Sequence, residues 1–434
     1  MIVANDTVRI WKEGIPEHWQ VMPLKHAITY NEDKLSDQSD DEYEFDYVDI
    51  GSVTYGKGIE TYQHMKFGDA PSRARRIVQP KDVIMSTVRT YLKATAKIEE
   101  HDNPVIVSTG FMVMRARNGV VLPDFLGYVA QSDGLVSEIE CQSYGTSYPA
   151  INAGEIANLS IPIPPLPEQQ SIVRYLDSKC SAIDEAIERH KKIIEKMEEY
   201  RKAVVSDAIV HGLDKCVPVK ASGIFGIGDI PTHFSSTRVK FLGTYRNGLT
   251  YSPADVCNSD EGTLVLRSSN IQDGKLTLDD NVYVNCPIDE RIMVKDGDIL
   301  ICARNGSAKL VGKSAIIEGV HATYGAFMMV LRTTAVPKYM YYMLNSVVMD
   351  VYRASFSTTT VNQLTAGILG NMVIPYCPDK VEQRAIADYL DEKCAAINDV
   401  IESHQGIVNK LEEYRKSIIY NAVTGKIDCR EAVK

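Results

Sequence analysis

The chain has 434 residues and a mass of 48.3 kDa, with 47 basic against 57 acidic side chains and a formal net charge of −10. Hydrophobic residues make up 44% and charged residues 24% of the sequence. This composition excludes wholesale disorder and indicates two or three folded domains. Taken alone, the acidic balance argues against a nucleic-acid-binding protein that works by bulk positive charge.

Redox state and compartment follow from the cysteines and from the apolar runs. The nine cysteines form no C-x-x-C pair, so a disulfide framework or zinc site is not predicted. The segment from Met1 to Asp6 lacks the pattern of a secretory signal, and no apolar run approaches the roughly 20 residues that span a bilayer. We therefore expect a cytoplasmic protein with reduced cysteines, no metal and no membrane contact.

The first 165 residues have the pattern of a mixed α/β domain. Apolar segments between turn residues predict strands at 47–50, 83–85 and 111–114, and a short helix at 125–131. Residues 31–46 carry eight acidic side chains against one lysine, which indicates a solvated loop or a partner surface.

Residues 66–97 have the opposite charge, with eight basic side chains against two aspartates. Arginine forks, amides and hydroxyl groups in loops are the groups that contact bases and phosphates in DNA. We take as candidates for DNA contact in this stretch Arg73, Arg75, Arg76, Arg89, Tyr91 and Lys93.

Residues 168–214 follow a proline-rich run, Ile161 to Pro167, and have the periodicity of one long helix. Apolar residues recur every three or four positions in a heptad-like seam. The residues expected to pack this helix are Ile172, Leu176, Ile183, Ile187 and Met197.

The second half returns to α/β patterning, with strands predicted at 299–301 and 327–330 and a helix at 338–344. Its candidates for DNA contact are Arg267, Asn270, Arg304, Asn305 and Lys309. Residues 306–314 resemble a phosphate-binding loop, but five residues rather than four separate its glycines. A strand-like run follows where such a loop needs a helix, so nucleotide binding is not predicted.

Residues 382–428 repeat residues 168–214 at an offset of 214 positions without a gap, and roughly half of the positions are identical. Asp379 and Glu382 predict a capped helix start. The residues expected to pack this second helix are Ile386, Leu390, Ile397, Ile401 and Leu411. A weaker echo, in which Ile15 to Trp19 returns as Ile230 to Phe234, extends the duplication over the whole chain.

Two matched seams predict that the long helices pair with each other, antiparallel, across an intervening globular part. The alternative is that each helix packs only on its own globular part. A helix of ~45 residues is about 65 Å long, so an antiparallel pair predicts a spacer with two heads related by a pseudo-two-fold axis. We find no metalloprotease or nucleophile-elbow motif and no cofactor loop, and His190 and His404 occupy equivalent seam positions.

The sequence resembles the DNA-specificity subunits of type I restriction–modification systems over essentially all of its length. The resemblance rests on Ile15–Trp19, on Asp82–Leu92, on Ser108–Phe111 and, most specifically, on Ile161–Gln170 leading into the duplicated helix. In the second half, Gly297–Leu300 and Arg304–Ser307 resemble the recurring loop of the family. The proline run is degraded in the second copy at 376–383, and the glycine-containing loop has no equally clean counterpart at 89–92. We therefore expect the two heads to read different sequences.

The resemblance implies two target-recognition domains, 1–165 and 215–378, separated by spacer helices at 166–214 and 379–434. Each domain would read one half of a bipartite, asymmetric site in double-stranded DNA, and the helices would set the gap. It also implies two modification subunits that methylate adenine, and restriction/translocase subunits. The chain itself would have no active site and no cofactor, with S-adenosylmethionine, ATP and Mg²⁺ on the partners. Two other interpretations stay open: a coiled-coil adaptor with no role in DNA binding, and a nuclease or methyltransferase with an unrecognised site.

Overall fold

The computed structural model describes residues 13–353, 356 and 362–430, so Met1–Asp6 lie outside the described part of the chain. The chain divides into two compact units. The first unit comprises residues 1–190 and 406–434, and the second comprises residues 191–405. Each unit contains one mixed α/β part and one segment of each of two long helices, which confirms the predicted fold class.

The first unit is built around two four-stranded sheets. Its strands are β1 (Gln20–Pro23), β2 (Ile28–Tyr30), β3 (Glu44–Val48), β4 (Val53–Thr54), β5 (Gly58–Ile59), β6 (Gln63–Lys66), β7 (Ala74–Ile77), β8 (Val83–Ser86), β9 (Thr95–Lys97), β10 (Val105–Ser108), β11 (Phe111–Ala116) and β12 (Ser160–Ile163). One sheet has the order β2-β11-β8-β9 and is antiparallel. The other has the order β6-β3-β10-β7, in which β3 and β10 run parallel.

Short helices cover these sheets. They are α1 (Leu24–Ala27), α2 (Pro123–Gln131), α3 (Asp133–Gln142) and α4 (Ala153–Asn158). The apolar faces of α2 and α3 bury Phe125, Leu126 and Leu135 in one cluster with the sheet residues Val83 and Met112. Burial of these side chains positions the loops at the ends of the strands.

The second unit repeats this plan. Its strands are β13 (Val219–Ile224), β14 (Ile227–Pro231), β15 (Ser235–Arg238), β16 (Gly243–Asn247), β17 (Val256–Cys257), β18 (Thr263–Leu266), β19 (Ile271–Gln272), β20 (Lys275–Leu276), β21 (Val282–Val284), β22 (Ile299–Cys302), β23 (Arg304–Asn305), β24 (Ser314–Ile316), β25 (Ala322–Tyr324), β26 (Met328–Thr333), β27 (Asn362–Gln363) and β28 (Val373–Tyr376). Its antiparallel sheet, β16-β26-β22-β24, corresponds strand by strand to β2-β11-β8-β9. Its other sheet, β17-β21-β18-β25, again contains one parallel pair, β18 and β25.

The first long helix is α5 (Leu166–His211). Three short helices follow in the second unit: α6 (Pro337–Leu344), α7 (Val347–Arg353) and α8 (Ala366–Asn371). The second long helix is α9 (Lys380–Val423). In the first unit, Leu176 of α5 and Ile418 of α9 belong to one buried cluster. In the second unit, Ile209 of α5 and Leu390 of α9 share another. Because the start of each helix packs with the end of the other, the pair is antiparallel, as predicted. Both helices also pack on the globular parts, but the alternative that each helix packs only on its own globular part is wrong, because α5 and α9 contact each other in both units.

One polar contact between the long helices occurs in both units at equivalent positions. In the first unit, Arg415 donates to Asp184, with an Nε–Oδ1 distance of 3.0 Å. In the second, Arg201 donates to Asn398, with an Nη1–Oδ1 distance of 2.6 Å. Asp184 and Asn398 are 214 residues apart in sequence, as are Arg201 and Arg415. The sequence repeat is therefore also a repeat of helix contacts.

Most residues predicted to pack the helices are buried. Those with less than a tenth of their surface exposed are Ile172, Leu176, Ile183, Ile187, Ile386, Leu390 and Ile397. Met197, Ile401 and Leu411 are only partly buried. The seam is thus tightest where each helix also contacts a globular part.

The short elements agree with the sequence patterns except at two ends. The strands predicted at 83–85, 111–114 and 299–301 and the helices at 125–131 and 338–344 are confirmed. The strand predicted at 47–50 stops at Val48, because Asp49 accepts a hydrogen bond from the backbone N–H of Ser52 and caps a 3₁₀ turn at 50–52. The strand predicted at 327–330 begins at Met328, and Ser314–Ile316 form a strand where a phosphate loop would need a helix.

Candidate nucleic-acid interface

The two oppositely charged stretches of the first unit partly neutralise each other. Lys66 pairs with Glu42, and the Nε atom of Arg75 lies 3.3 Å from a carboxylate oxygen of Asp37. Asp46, another acidic residue of this stretch, is buried and binds other side chains. The sequence predicts a solvated loop or a partner surface for residues 31–46, whereas the fold places part of this stretch against the basic one.

Asp46 lies at the centre of a hydrogen-bonded cluster. Its carboxylate accepts from Nδ1 of His64 at 2.8 Å, from Nε2 of His101 at 2.6 Å and from Nδ2 of Asn103 at 3.1 Å. Burial alone would raise the pKa of Asp46, but the bonds from His101, Asn103 and His64 outweigh it and lower the pKa below its ordinary value. The cluster ties β3 to β6 and to the loop before β10.

The basic candidates of the first unit fall into two groups. Within the described residues, carboxylate partners lie near Arg73 (Asp49, 3.7 Å), Arg75 (Asp37) and Lys93 (Glu140, 3.1 Å). Arg76 has no such partner in the described part of the chain; its Nε is buried without a hydrogen bond, and burial lowers the pKa of its guanidinium.

Arg89 is exposed and likewise has no carboxylate within ion-pair distance among the described residues. Its guanidinium carbon instead lies 5.1 Å from the centre of the Tyr148 ring. Tyr91, two residues further on, is 52% exposed. These groups are available to an anionic partner because no internal charge already holds them.

Backbone hydrogen bonds join the two candidate loops of the first unit. The N–H of Thr109 donates to the carbonyl of Arg73 at 2.8 Å, and the N–H of Thr87 donates to the carbonyl of Gly110 at 2.8 Å. The loop after β8 is held further by the N–H of Ile151, which donates to the carbonyl of Thr87 at 2.9 Å. The loops that contain Arg73 and Arg89 are therefore neighbours.

The candidate loops of the second unit are also neighbours. Nδ2 of Asn305 donates to the hydroxyl of Ser268 at 3.2 Å, and Nζ of Lys313 donates to the carbonyl of Ile271 at 2.9 Å. These bonds join the 267–271 turn to the segment after β22. Lys309, in that segment, is exposed.

Two candidates of the second unit are engaged within the protein. Asn270 is fully buried; its Oδ1 accepts from the N–H of Arg267 at 2.9 Å and its Nδ2 donates to the carbonyl of Thr277 at 3.0 Å. Nη2 of Arg267 lies 2.8 Å from a carboxylate oxygen of Asp280. Asn270 therefore shapes the loop, whereas Arg304 and Lys309 have no carboxylate partner within the described ranges.

Three exposed aromatic residues beside these loops were not among the predicted contacts. Tyr144 and Tyr148 lie between α3 and α4 and are 57% and 65% exposed, and Phe327 precedes β26 and is 60% exposed. Phe327 lies beneath Arg304, whose guanidinium carbon is 5.1 Å from the ring centre. The signal in the sequence was the polar loop 143–149, which carries both tyrosines among glycine, serine and threonine.

All nine cysteines are free thiols. Across residues 13–353, 356 and 362–430, no group of three or more His, Cys, Asp or Glu side chains has the arrangement of a metal site. No described helix is both long enough and apolar enough to cross a membrane.

Comparison with known proteins gives a consistent family. Residues 16–199 match the family model described as the type I restriction modification DNA specificity domain. The chain is 23% identical to the type I restriction enzyme EcoKI specificity subunit of Escherichia coli K12, in a match that covers 70% of this chain and 65% of that subunit, just under two thirds of its length. It is 23% identical to the MjaVIII specificity subunit of Methanocaldococcus jannaschii, over 95% of this chain and 94% of that one.

A solved structure has the same fold. A chain from a study of the complex assembly and conformational transition of the type I restriction–modification system superposes with a TM-score of 0.72 at 23% identity. The superposition covers 95% of this chain and 99% of that one. Together, the family model, the curated relatives and the shared fold confirm that this chain resembles the DNA-specificity subunits of type I restriction–modification systems.

Proposed function

We propose that this chain is the DNA-specificity subunit of a type I restriction–modification complex, and that it reads a bipartite, asymmetric site with one globular part for each half-site. The observation that carries the proposal is the match of residues 16–199 to a DNA specificity domain, within a chain whose second unit repeats the same sheet plan. Because the two candidate loops differ in sequence and in their hydrogen bonds, the two half-sites should differ.

The role of the chain would be to select the DNA sequence on which the complex acts, and not to catalyse a reaction. On this proposal the chemistry belongs to modification subunits that bind S-adenosylmethionine and methylate adenine, and to restriction/translocase subunits that use ATP and Mg²⁺. The net charge of −10 fits such a division. A subunit that contacts DNA with two small loop clusters leaves most phosphate neutralisation to its partners, and should bind DNA weakly and with strong salt dependence when alone.

Equivalent clefts in the two units support the docking of two copies of one partner. The first has a volume of about 340 Å³ and is lined by Tyr128, Asp177 and Arg415. The second has a volume of about 950 Å³ and is lined by the equivalent residues Tyr342, Asp391 and Arg201. In both clefts the tyrosine hydroxyl donates to the aspartate at 2.7 Å, and with burial this bond raises the tyrosine pKa.

The test is co-expression of the chain with type I modification and restriction subunits, followed by methylome sequencing. The expected result is methylated adenine in one motif made of two defined half-sites and an undefined gap. A motif that appears when the modification subunit is expressed without this chain would contradict the proposal. So would a purified chain that methylates or cleaves DNA by itself, because the chain would then be an enzyme.

A further inference from the structure

Each unit places one exposed arginine over one exposed aromatic ring, directly after the same strand of the fold. Arg89 follows β8 and lies over Tyr148; Arg304 follows β22 and lies over Phe327, with 5.1 Å from guanidinium carbon to ring centre in both cases. β8 and β22 occupy the same place in their sheets, next to β11 and β26 respectively. The arrangement therefore occurs at corresponding places in the two units.

The two rings come from different parts of the chain. Tyr148 belongs to the loop between α3 and α4, whereas Phe327 immediately precedes β26, where the first unit has Gly110 before Phe111. A pair inherited unchanged from the duplication would use the same aromatic position twice. Different segments supply the ring in the two units. The shared feature is therefore the contact of an arginine with an aromatic ring, and not one particular aromatic position.

The backbone fixes both partners of each pair. In the second unit, the N–H of Arg304 donates to the carbonyl of Phe327 at 3.0 Å, and β23 pairs with β27. In the first unit, Val88, which precedes Arg89, forms an isolated antiparallel β-bridge with Ala150, two residues after Tyr148. Arg89 itself has a left-handed backbone with φ of 52°. Neither guanidinium has a carboxylate partner in the described part of the chain, so the positive charge is held in place without being neutralised.

We infer that these two arginines are base-reading residues and that each recognises a guanine, one in each half-site. A ring that covers one face of a guanidinium leaves its in-plane N–H groups directed outward as a fork of donors. In the major groove only guanine offers two adjacent acceptors, N7 and O6, that match such a fork. Adenine and cytosine present a donor there, and thymine pairs one acceptor with a methyl group.

This inference rests on the proposed function, and it names the base at one position of each half-site. The competing role is a phosphate contact, because a phosphate also accepts two hydrogen bonds from arginine. The two roles have different consequences. Loss of a base contact relaxes selectivity at one base pair, whereas loss of a phosphate contact weakens binding to all sequences and reduces the salt dependence by about one unit of slope.

The experiment uses the complex assembled with its modification subunits. The methylome of the wild-type complex first defines the motif, and methylation rates are then measured on duplexes carrying each single base-pair change. The variants are Arg89→Ala, Arg304→Ala, Tyr148→Leu and Phe327→Leu. The control is Arg291→Ala, at an exposed arginine of the second unit that already pairs with Asp289.

The expected result for Arg304→Ala is a loss of about 5-fold to 150-fold in discrimination at one G·C pair of one half-site, with the other positions unchanged. Arg89→Ala should do the same in the other half-site. The two leucine variants should relax the same positions to a smaller extent, because the fork is kept but not oriented, and the control should keep the wild-type motif.

Three results would overturn the inference: a uniform loss of rate with a shallower salt dependence, an unchanged motif in both alanine variants, or relaxation at an A·T pair. Equal relaxation in the Arg291→Ala control would also overturn it. If the wild-type complex yields no bipartite motif, the proposed function itself fails, and that outcome is visible before any variant is made.

Discussion

Replacement of Gln169 by leucine should destabilise the first unit more than the equivalent replacement of Gln383 destabilises the second. Both glutamines are fully buried at the start of a long helix. Oε1 of Gln169 accepts from the N–H of Leu122 at 2.7 Å, and its Nε2 donates to the carbonyls of Val120 and Pro164, both at 2.9 Å. The side chain of Gln169 thus links α5 to the globular part by three hydrogen bonds.

The expected magnitude follows from the number of partners left unpaired. A buried N–H without an acceptor costs about 1–3 kcal/mol, and each carbonyl that loses a donor costs roughly 1 kcal/mol. Gln169→Leu should therefore cost about 3–5 kcal/mol. Gln383 makes two bonds, from Val336 N–H at 2.8 Å and to the Cys377 carbonyl at 2.7 Å, so its loss should cost about 2–4 kcal/mol.

Hydrogen exchange resolved by peptide is the suitable measurement, because a chain of two units need not unfold in one step. Peptides of the first unit that span 118–131 and 160–180 should exchange about 100-fold faster or more in Gln169→Leu, since each 1.4 kcal/mol is a factor of ten. The matched control is Gln170→Leu at the adjacent, exposed position. If Gln169→Leu and Gln170→Leu differ by less than about 0.5 kcal/mol, the buried hydrogen bonds do not hold the helix and this reasoning is wrong.

Three further predictions concern other contacts. The lowered pKa of Asp46 means that its charged form stabilises the first unit above the unfolded-state pKa of about 3.9; the stability difference between wild type and Asp46→Asn should be full at pH 6–7 and be lost as the pH falls through the lowered pKa of the folded state, as followed by urea unfolding. Asn398→Asp should convert the bond to Arg201 into an ion pair like Asp184–Arg415 and raise the stability of the second unit by at most about 1 kcal/mol at low salt, and an equal gain at 1 M salt would contradict this. Insertion of four residues at the same repeat position of α5 and α9 should change the gap of the methylated motif and leave both half-sites intact, whereas altered half-sites would show that the helices also shape the recognition loops.

The elements that the sequence predicts correctly are those whose signal is local. The periodicity of α5 and α9 arises from burial of one helix face, and the apolar runs of β8, β11 and β22 arise from burial of both strand faces. Each segment records this burial in its own residues. The incorrect end of β3 is also local in origin, because Asp49 caps a turn and stops a strand that apolar character would continue.

The candidate site depends on tertiary contacts, and there the sequence is a weaker guide. Charge counting assigns Arg75 and Lys93 to a DNA surface, but the fold pairs them with Asp37 and Glu140. Asn270 has suitable chemistry for reading a base, yet its side chain is fully buried in its own loop. No local pattern distinguishes these residues from Arg89, because partners distant in sequence decide which charges are satisfied.

The most specific motifs of the sequence form a side-chain contact between the globular part and the start of a long helix. This contact, which we call the joint, occurs in both units. Oε2 of Glu168, after the proline run, accepts from Trp19 Nε1 at 2.9 Å, and its Oε1 lies 2.8 Å from His18 Nε2. In the second unit, Glu382 accepts from His233 Nε2 at 3.0 Å. The motif near the start of each globular part thus binds the motif at the start of the following helix.

Because this joint lies at the helix start, it is separate from the loops that contain the arginine and aromatic pairs. The duplicated motifs can therefore stay alike while the recognition loops differ between the units. The contact between globular part and long helix can therefore be the same in both units, while the two sets of loops read different half-sites. That division explains why the helices and the joint carry the most specific part of the resemblance, whereas the motifs within the globular parts only support it.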